Sequence, residues 1–183
     1  MKKLLLVLLL GLPLLAEKLV LEKGFVAAHT EMLMDSTIDI LNTDVHADIS
    51  IQGHDILSIR GKLWVEMDLF SSDEPDRDDH MDKTDAIEKF PLASYLISSI
   101  TKTQKEDIYV LHGTLMYHGQ EQAFMADAEI KDTNNILTIK ARSNFLVSDY
   151  GVEMPCMVFM CVRDRVDIFA QAVLVRKTSL AQN

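Results

Sequence analysis

The chain has 183 residues, of which 48% are hydrophobic and 25% charged, and this composition excludes a disordered tail and a coiled coil. The formal charge of −10 argues against a protein that binds the nucleic-acid phosphate backbone, because such proteins need a basic surface. Aromatic residues make up only 7% and there are 10 methionines, so we expect an interior that is mainly aliphatic and thioether.

The first sixteen residues have the three-part layout of a secretory signal peptide. Lys2 and Lys3 form a short basic start, residues 4–15 are almost entirely aliphatic, and the small Ala16 precedes a charged pair. A membrane anchor is the alternative, but a membrane-spanning helix needs about 20 apolar residues, and this segment is shorter. We therefore predict a signal peptide at 1–16 and a mature domain at 17–183 in a bacterial periplasm. Losing two lysines and no acid would take the formal charge from −10 to −12.

Apolar and polar residues alternate along most of the mature sequence, and this period of two indicates β-strands. The segments that read as strands are 49–51, 56–59, 63–69, 95–100, 108–117, 124–130, 137–142 and 166–174. Turn residues such as Gly53 and Gly119 stand between them, without intervening helical patterns. This organisation predicts an antiparallel sandwich or barrel.

One polar and acidic segment, residues 71–89, interrupts the alternation. Within it, residues 78–89 are predicted to form one short helix, which ends before Phe90-Pro91 because a residue that precedes proline disfavours the helical conformation. Asp78 or Asp79 is expected to cap this helix or to lie in its first turn. No linker or long repeat divides residues 17–183, so we predict a single domain.

Small residues on the inward faces of the predicted strands raise the question of unfilled space. Ala126, Ala128, Ala141, Ala170 and Ala172 stand where a filled interior would carry larger side chains. An eight-stranded barrel is just wide enough to be filled by its own side chains or to hold one small ligand. Either a ligand occupies the space beside these alanines, or bulky residues from other strands or a capping helix fill it.

The densest group of charged residues runs from Asp73 to Asp82 and includes Arg77 and His80. Carboxylates and a histidine can bind a metal, but the spacing matches no calcium loop and the turn glycine of such a loop is missing. We predict a solvated surface and no metal site. The alternative is a metal- or carboxylate-dependent hydrolase that uses the segment around His80. The sequence contains no nucleophile elbow and no phosphate-binding glycine motif, so we predict no catalytic residue and no cofactor.

Two cysteines, Cys156 and Cys161, would lie in an oxidising compartment after secretion. On a strand, five residues span roughly 16 Å, whereas a disulfide needs its Cα atoms within about 7 Å. Only a turn between the two residues would bring them together. We therefore expect two buried, inert thiols rather than a bridge.

Five short motifs follow one another between Arg60 and Gly151. They are Arg60-Gly61-Lys62-Leu63, Ser72-Asp73 with Arg77-Asp78-Asp79-His80-Met81, Phe90-Pro91 with Tyr95, Gly113-Thr114-Leu115-Met116-Tyr117-His118-Gly119, and Asp149-Tyr150-Gly151. In this order, behind a signal peptide, they resemble the YceI-like family of secreted bacterial lipid-binding proteins. The double aromatic that the family usually carries before its Phe-Pro or Tyr-Pro pair is missing, so the chain resembles a divergent member.

This resemblance implies an all-β fold, a lipocalin-like antiparallel β-barrel of about eight strands. It also implies a non-catalytic periplasmic carrier whose lumen holds a polyisoprenoid or isoprenoid-quinone chain. The residues expected to line the lumen are Leu63, Val65, Met67, Leu111, Leu115, Phe124, Ala126, Ala128, Ile139, Ala141, Phe145, Ile168, Ala170 and Ala172. The residues expected to be structural are Arg77, Asp78, His80, Phe90, Pro91, Gly113, Gly119 and Gly151. Arg77, Asp78 and His80 would tie the helix to the barrel mouth by charge-assisted hydrogen bonds.

Three functions are therefore to be compared: a lipid carrier, the hydrolase described above, and a ligand-free structural or adhesion barrel. The last of these predicts a filled interior and a large exposed apolar patch. The expected partner is a hydrophobic lipid. Nucleic acid and stable membrane insertion after signal removal are not expected, and homodimer formation is left open.

Overall fold

The computed structural model describes residues 16–31, 37–154, 156–157 and 160–176, so all of the predicted signal peptide except Ala16 lies outside the described residues. The described residues form eleven strands and one α-helix. The strands are β1 (Ala16–Glu31), β2 (Thr37–Asn42), β3 (Val45–Gln52), β4 (Asp55–Glu66), β5 (Leu92–Lys102), β6 (Ile108–Tyr117), β7 (Gln120–Thr133), β8 (Ile136–Leu146), β9 (Cys156–Met157), β10 (Met160–Cys161) and β11 (Arg165–Arg176). The helix α1 (Pro75–Thr84) lies between β4 and β5, and 3₁₀ turns follow β4 at Met67–Leu69 and β8 at Val147–Tyr150.

Eight antiparallel strands close into a barrel in the order β1-β3-β4-β5-β6-β7-β8-β11, and β11 returns to pair with β1. In this register Ala170 of β11 lies opposite Ala141 of β8 on one side and Val26 of β1 on the other. β1 pairs with β3 through Leu19 and with β2 from Val26 onward, so β2 extends the wall beyond β3. The predicted all-β, lipocalin-like antiparallel barrel of about eight strands is confirmed.

A buried asparagine holds the corner between β2 and β3 against the end of β4. Asn42 is only 1% exposed, and its Nδ2 donates a hydrogen bond of 2.8 Å to the carbonyl of Glu66. Its Oδ1 accepts a second hydrogen bond of 2.8 Å from the backbone N–H of Asp44. Because β2 and β4 share no strand pairing at this corner, these bonds satisfy backbone groups that would otherwise lack partners.

One end of the barrel is filled by its own side chains. The inward residues that pack there without exposed surface are Ile49, Ile51, Ile59, Ile130, Leu137 and Leu174. Branched aliphatic side chains pack well against one another on the pleated surface of a sheet. This filled end therefore gives the barrel a hydrophobic core that does not depend on a ligand.

A buried ion pair joins β7 and β11 at the outer edge of the filled end. Arg176 Nη1 and Nη2 each donate a hydrogen bond of 2.7 Å to the carboxylate of Asp132, and the two side chains are 8% and 6% exposed. Arg176 also donates to the carbonyl of Gly53, and the ring of His54 lies 2.7 Å from Asp132 Oδ2. The hydrogen bonds from Arg176 lower the pKa of Asp132. The pair thus ties three chain segments together at this end.

The helix α1 covers the opposite end of the barrel. It begins three residues before, and ends five residues before, the helix that the sequence predicts. Pro75 occupies the first helical turn, a position that proline favours because its missing N–H is not needed there. Beyond the helix, Ala86 adopts a positive φ of 48°, which takes the backbone out of the helical conformation. With 10 residues, α1 is too short and too polar to cross a bilayer, and no other helix of the described residues could do so.

Cys156 and Cys161 form a disulfide with their Cα atoms 4.1 Å apart, so the prediction of two separate buried thiols is wrong. β9 and β10 pair as a two-stranded hairpin in which Cys156 lies opposite Cys161. The chain therefore reverses direction between the two residues, whereas the prediction assumed one extended strand. Cys156 is exposed and Cys161 half-buried.

Replacing both cysteines by serine is expected to lower the free energy of unfolding by about 2 kcal/mol, because the bridge closes a short loop and short loops give the smallest gain. Urea denaturation would compare the oxidised protein, the protein with dithiothreitol, and the Cys156→Ser/Cys161→Ser variant. The reductant should lower the stability of the wild type to that of the variant and leave the variant unchanged. Equal stability of all three samples would contradict this expectation.

Candidate ligand-binding cavity

An apolar cavity of about 660 Å³ occupies the barrel between the filled end and α1. All eight strands of the barrel contribute side chains to its wall, together with β2, α1 and the segment that follows β8. Its volume lies within the range of about 300–1,000 Å³ that is usual for small-molecule sites. The barrel therefore has room for a small-molecule ligand beside its packed core.

The predicted lumen residues come together around this cavity, with a single exception. Those that line it are Leu63, Val65, Met67, Leu111, Leu115, Phe124, Ala126, Ile139, Ala141, Phe145, Ile168, Ala170 and Ala172. The alternation of apolar and polar residues places them on one face of their strands. Closure of the sheet then turns that face inward and brings residues from distant parts of the sequence into one wall.

Ala128 is the exception, because it lies in the filled end and does not line the cavity. Tyr109 of β6 lies directly opposite Ala128 and is buried beside it. The large tyrosine side chain takes up the space that the alanine leaves. At this position, the alternative that a bulky neighbour fills the gap is therefore correct.

The sequence prediction misses the cavity residues of the first two strands. These residues are Val26, Ala28, Ile38 and Ile40. Residues 25–28 are apolar on both faces of β1, because the outer face packs against the ring of Phe169. The alternation of apolar and polar residues is therefore not visible in this segment. The i, i+2 spacing within each pair is the signal that could have identified them.

Aromatic side chains pack together near α1, where Tyr117 and Phe145 line the cavity and Tyr150 packs against both of their rings. The rings of Tyr117, Phe145 and Tyr150 pack edge to face with centroids 5.2–5.6 Å apart. Tyr95 and Phe124 form a second edge-to-face pair at 5.6 Å. Such pairs favour defined ring orientations, so this part of the wall is expected to be the most rigid.

Side chains also close the wall where two neighbouring strands separate. β7 and β8 pair from Asp127 and Arg142 toward the filled end, although both strands continue in the other direction. Beyond that point, the hydroxyl of Tyr95 donates a hydrogen bond of 3.3 Å to the carbonyl of Phe124. The hydroxyl of Ser143 donates one of 2.6 Å to the carbonyl of Met125. The Ser143 bond joins β8 to β7 where their backbone pairing has ended, and the Tyr95 bond satisfies a carbonyl of β7 from β5.

Polar residues gather at the end of the cavity that α1 covers. From this helix and the residue after it, the lining residues with polar groups are Asp76, Arg77, His80, Thr84 and Asp85, and β1 adds His29 and Thr30. The lining residues toward the opposite end of the cavity are mainly apolar and include Ile97, Leu111, Ala126, Ile139 and Ala172. The cavity thus has a polar mouth and an apolar floor.

One pair of ionisable residues, Asp85 and Tyr117, lies at the cavity wall near the mouth. Tyr117 is buried, and its hydroxyl donates a hydrogen bond of 2.6 Å to Asp85 Oδ1. Burial raises the pKa of Asp85, and the hydrogen bond from Tyr117 opposes part of this rise. Burial, together with the adjacent carboxylate, also raises the pKa of Tyr117. The site therefore offers a hydroxyl and a carboxyl in a largely apolar setting.

Asp78 is the residue that ties α1 to the barrel. Its carboxylate accepts hydrogen bonds from the hydroxyl of Ser71 at 2.9 Å and from the N–H and hydroxyl of Ser72 at 2.9 and 2.6 Å. The bonds from Ser72 lower the pKa of Asp78. Asp78 lies in the first turn of the helix, where a negative charge is favourable. Both predicted roles of Asp78, as a first-turn acid and as a structural tie, agree with this geometry.

Arg77 and His80 do not make the predicted hydrogen bonds with any described residue. Both line the mouth of the cavity. They lie one and two positions from Asp78 on a helix, so their side chains point in other directions from its axis. Of the three residues, Asp78 is the one whose side chain forms hydrogen bonds with described residues next to the helix.

Phe90 and Pro91 hold the segment that leads from α1 into β5. The ring of Phe90 packs edge to face on the ring of His118 with centroids 4.4 Å apart. His118 Nδ1 lies 3.1 Å from the carbonyl of Tyr150, and the carbonyl of Pro91 accepts a hydrogen bond from the N–H of Met67. The Phe-Pro motif thus connects the segment after the helix to two others, the turn after β6 and the 3₁₀ turn after β4.

Two motif glycines stand where no side chain fits. A Cβ on Gly113 would lie 2.1 Å from the carbonyl oxygen of Leu96, and one on Gly119 would lie 2.4 Å from the ring of Phe90. The third, Gly151, ends the 3₁₀ turn after β8 with a φ of 75°, a conformation that glycine adopts without strain. All three therefore have structural reasons for their place in the motifs.

The alternative of a hydrolase concerns the acidic segment around His80. Within the described residues, no group of three or more His, Cys, Asp or Glu side chains could hold a metal ion. The Asp78 carboxylate is engaged by Ser71 and Ser72, and His80 is exposed at the surface. The hydrogen bonds of Asp78 therefore give this residue a structural role next to the barrel mouth.

A closed antiparallel barrel around an apolar cavity with a polar mouth defines a binding fold of the lipocalin-like class. The family model of the YceI-like domain matches residues 20–174. The chain belongs to the YceI-like domain family, and the resemblance seen in the sequence motifs is confirmed. A comparison with curated proteins finds no match.

Solved structures share the fold at low sequence identity. BcnA of Burkholderia cenocepacia is 14% identical, with a TM-score of 0.72, and the match covers 82% of this chain and 95% of BcnA. A polyisoprenoid binding domain from Saccharophagus degradans, implicated in plant cell wall breakdown, is 10% identical with a TM-score of 0.70, covering 89% and 99%. The YceI protein of Campylobacter jejuni is 15% identical with a TM-score of 0.67, covering 80% and 89%.

Proposed function

We propose that this protein binds a long isoprenoid-type lipid, a polyprenyl or quinone-like chain, in the barrel cavity and carries it in the bacterial periplasm without catalysing a reaction. The observation that carries the proposal is the apolar cavity of about 660 Å³ that side chains leave unfilled between the packed end of the barrel and α1. A void of this size costs stability unless a ligand occupies it. A polyisoprenoid binding domain is among the structural neighbours, which supports this class of ligand.

The distribution of polar residues in the cavity supports one orientation of the lipid. The apolar chain would lie toward the floor, where each buried methylene contributes about 0.8 kcal/mol. The head group would lie at the mouth, near Arg77, His80 and the Asp85–Tyr117 pair, where hydrogen-bonding groups are available. Met67, Met81 and Met154 also line the cavity, and their flexible side chains suit a ligand of irregular shape.

The periplasmic location rests on the predicted signal peptide at 1–16 and is supported by the disulfide between Cys156 and Cys161. Disulfides form and persist in the periplasm, whereas reducing systems keep most cytosolic thiols reduced. The strand β1 begins at Ala16, so cleavage after this residue would leave nearly the whole barrel intact. We therefore expect the mature protein to start at Glu17.

The test is extraction of lipid from the protein isolated in its natural form. The full chain, including residues 1–16, is produced in a bacterium that synthesises isoprenoid lipids, purified from the periplasmic fraction without detergent, and extracted with chloroform and methanol. Mass spectrometry of the extract should show an isoprenoid lipid in an amount comparable to that of the protein. Sequencing of the purified protein should give Glu17 at its N-terminus.

A second periplasmic protein without an apolar cavity, purified from the same cells, controls for lipid that adheres during preparation. An empty extract, or one with the same lipids as this control, would contradict the proposed ligand. Recovery of the protein only from the cytosol with residues 1–16 intact would contradict the proposed location.

A further inference from the structure

The cavity ends at one level of the barrel. On β7, Ala126 lines the cavity and the next inward residue, Ala128, does not. On β8 and β11, the last lining residues toward the filled end are Ile139 and Ala172. We call the five lining residues at this level the floor residues, namely Ile97, Leu111, Ala126, Ile139 and Ala172.

The barrel below the floor residues is solid. Ile59, Ile130, Leu137 and Leu174 have no exposed surface, and Tyr109 fills the space beside Ala128. Beyond them, the Arg176–Asp132 ion pair ties β7 and β11 together at the outer edge. A hydrocarbon chain that reaches the floor residues therefore has no passage toward this end.

We propose that the floor residues set the longest isoprenoid chain that the cavity accepts. This inference rests on the proposed function and adds a limit on chain length to it. Each methylene that is buried above the floor raises the affinity by about a factor of four. Once the end of the chain touches the floor, every further five-carbon unit must stay outside the mouth, where it gains nothing from the protein.

A change in the size of a floor side chain should change the longest isoprenoid chain that the cavity accepts. Ala126 is small and 6% exposed, so a leucine at this position would project into the cavity and raise the floor. Ile139 is larger and 5% exposed, so an alanine there would lower it. Ala123 lies on the same strand as Ala126 but is exposed on the outer face. It provides a matched control position.

The experiment measures which chain lengths the protein captures from a mixture. The full-length protein, purified from the periplasm and freed of lipid, is equilibrated with an equimolar series of polyprenyl alcohols that differ by one five-carbon unit, presented in mild detergent. The captured alcohols are extracted and quantified by mass spectrometry. The wild type should show a cut-off beyond which capture falls about tenfold or more for each added unit, because a unit that stays in water outside the mouth loses the burial that it had in the detergent micelle.

The variants should move this cut-off in opposite directions. Ala126→Leu should shift it to shorter chains by about one unit, since the added side-chain carbons displace part of a unit. Ile139→Ala should shift it to longer chains, and Ala123→Leu should leave it unchanged. Circular dichroism melting curves establish that each variant is folded, and the two opposite shifts give the inference two independent tests.

The outcomes separate this inference from the proposed function. If the wild type captures no polyprenyl alcohol of any length, the proposed function is contradicted. If it captures them without a cut-off, or if Ala126→Leu and Ile139→Ala show the wild-type cut-off, isoprenoid binding stands and the floor does not set the length. A cut-off that moves in opposite directions in the two variants supports the inference.

Discussion

The Ala170→Phe variant is expected to bind geranylgeraniol about 100-fold more weakly than the wild type, because the added ring would occupy the space of roughly three to four ligand methylenes at about 0.8 kcal/mol each. Ala170 lines the cavity midway along β11, opposite Ala141 and Val26, so a larger side chain there projects into the open space. The melting temperature should change little, since the ring enters a void rather than a packed core.

The amount of geranylgeraniol that each protein retains as the ligand concentration rises, determined by extraction and mass spectrometry, provides the measurement. Ala123→Phe is the matched control, because it adds the same ring to an exposed position on β7. We expect the control to bind as the wild type does. Equal affinity of Ala170→Phe and the wild type would show that the ligand does not occupy the cavity.

The Asp132→Asn variant is expected to lose about 3 kcal/mol of unfolding free energy at neutral pH, because it removes the nearest counter-charge of the buried Arg176 guanidinium and leaves only the Glu17 carboxylate, 3.9 Å away. Asp132 and Arg176 are 6% and 8% exposed and share two hydrogen bonds of 2.7 Å. Replacing Asp127, which is exposed on the same strand, by asparagine should change the stability by less than about 0.5 kcal/mol.

The Asp132–Arg176 pair also makes the free energy of unfolding depend on pH. The pKa of Asp132 is lower in the folded state than in the unfolded chain, so its stabilising effect is complete above the unfolded value of about 3.9. The effect is lost as the pH falls through the lower, folded value. The stability difference between the wild type and Asp132→Asn should therefore be largest near neutral pH and shrink below about pH 4. Urea denaturation across this range measures it, and a difference that stays constant would contradict the assignment.

The sequence predicts the fold class because the alternation is strong where one face of a strand meets solvent. On β7, exposed residues separate Phe124, Ala126, Ala128 and Ile130, so the inward face is evident without a structure. The same reasoning fails for β1, whose residues 25–28 are apolar on both faces. Reasoning from the alternation also divides β4 into the segments 56–59 and 63–69, although the strand continues from Asp55 to Glu66.

The candidate site is predicted less completely because its limits depend on which strands are neighbours. Ala126 and Ala128 have equivalent positions in the alternation, yet one lines the cavity and the other is covered by Tyr109. Only the pairing of β6 with β7 decides this difference. The disulfide of Cys156 likewise depends on a chain reversal that residue spacing does not indicate.

Most of the polar residues at the cavity mouth come from the helix α1 and the residue after it. The sequence indicates a helix near Asp78 but not which of its side chains face the barrel. Arg77 and His80 are adjacent in the motif to Asp78, and the motif gives all three a common role. The structure separates them, because Asp78 contacts Ser71 and Ser72 while the other two line the cavity.

The central claim, that an isoprenoid chain lies inside the barrel, is tested most directly by NMR of the methionine methyl groups. Met67, Met81 and Met154 line the cavity, whereas Met125 is 62% exposed on the outer surface. With methyl-¹³C methionine in the lipid-free protein, added geranylgeraniol should shift the signals of the three cavity methionines and leave that of Met125 unchanged. Unchanged cavity signals, or a shift confined to Met125, would contradict the account.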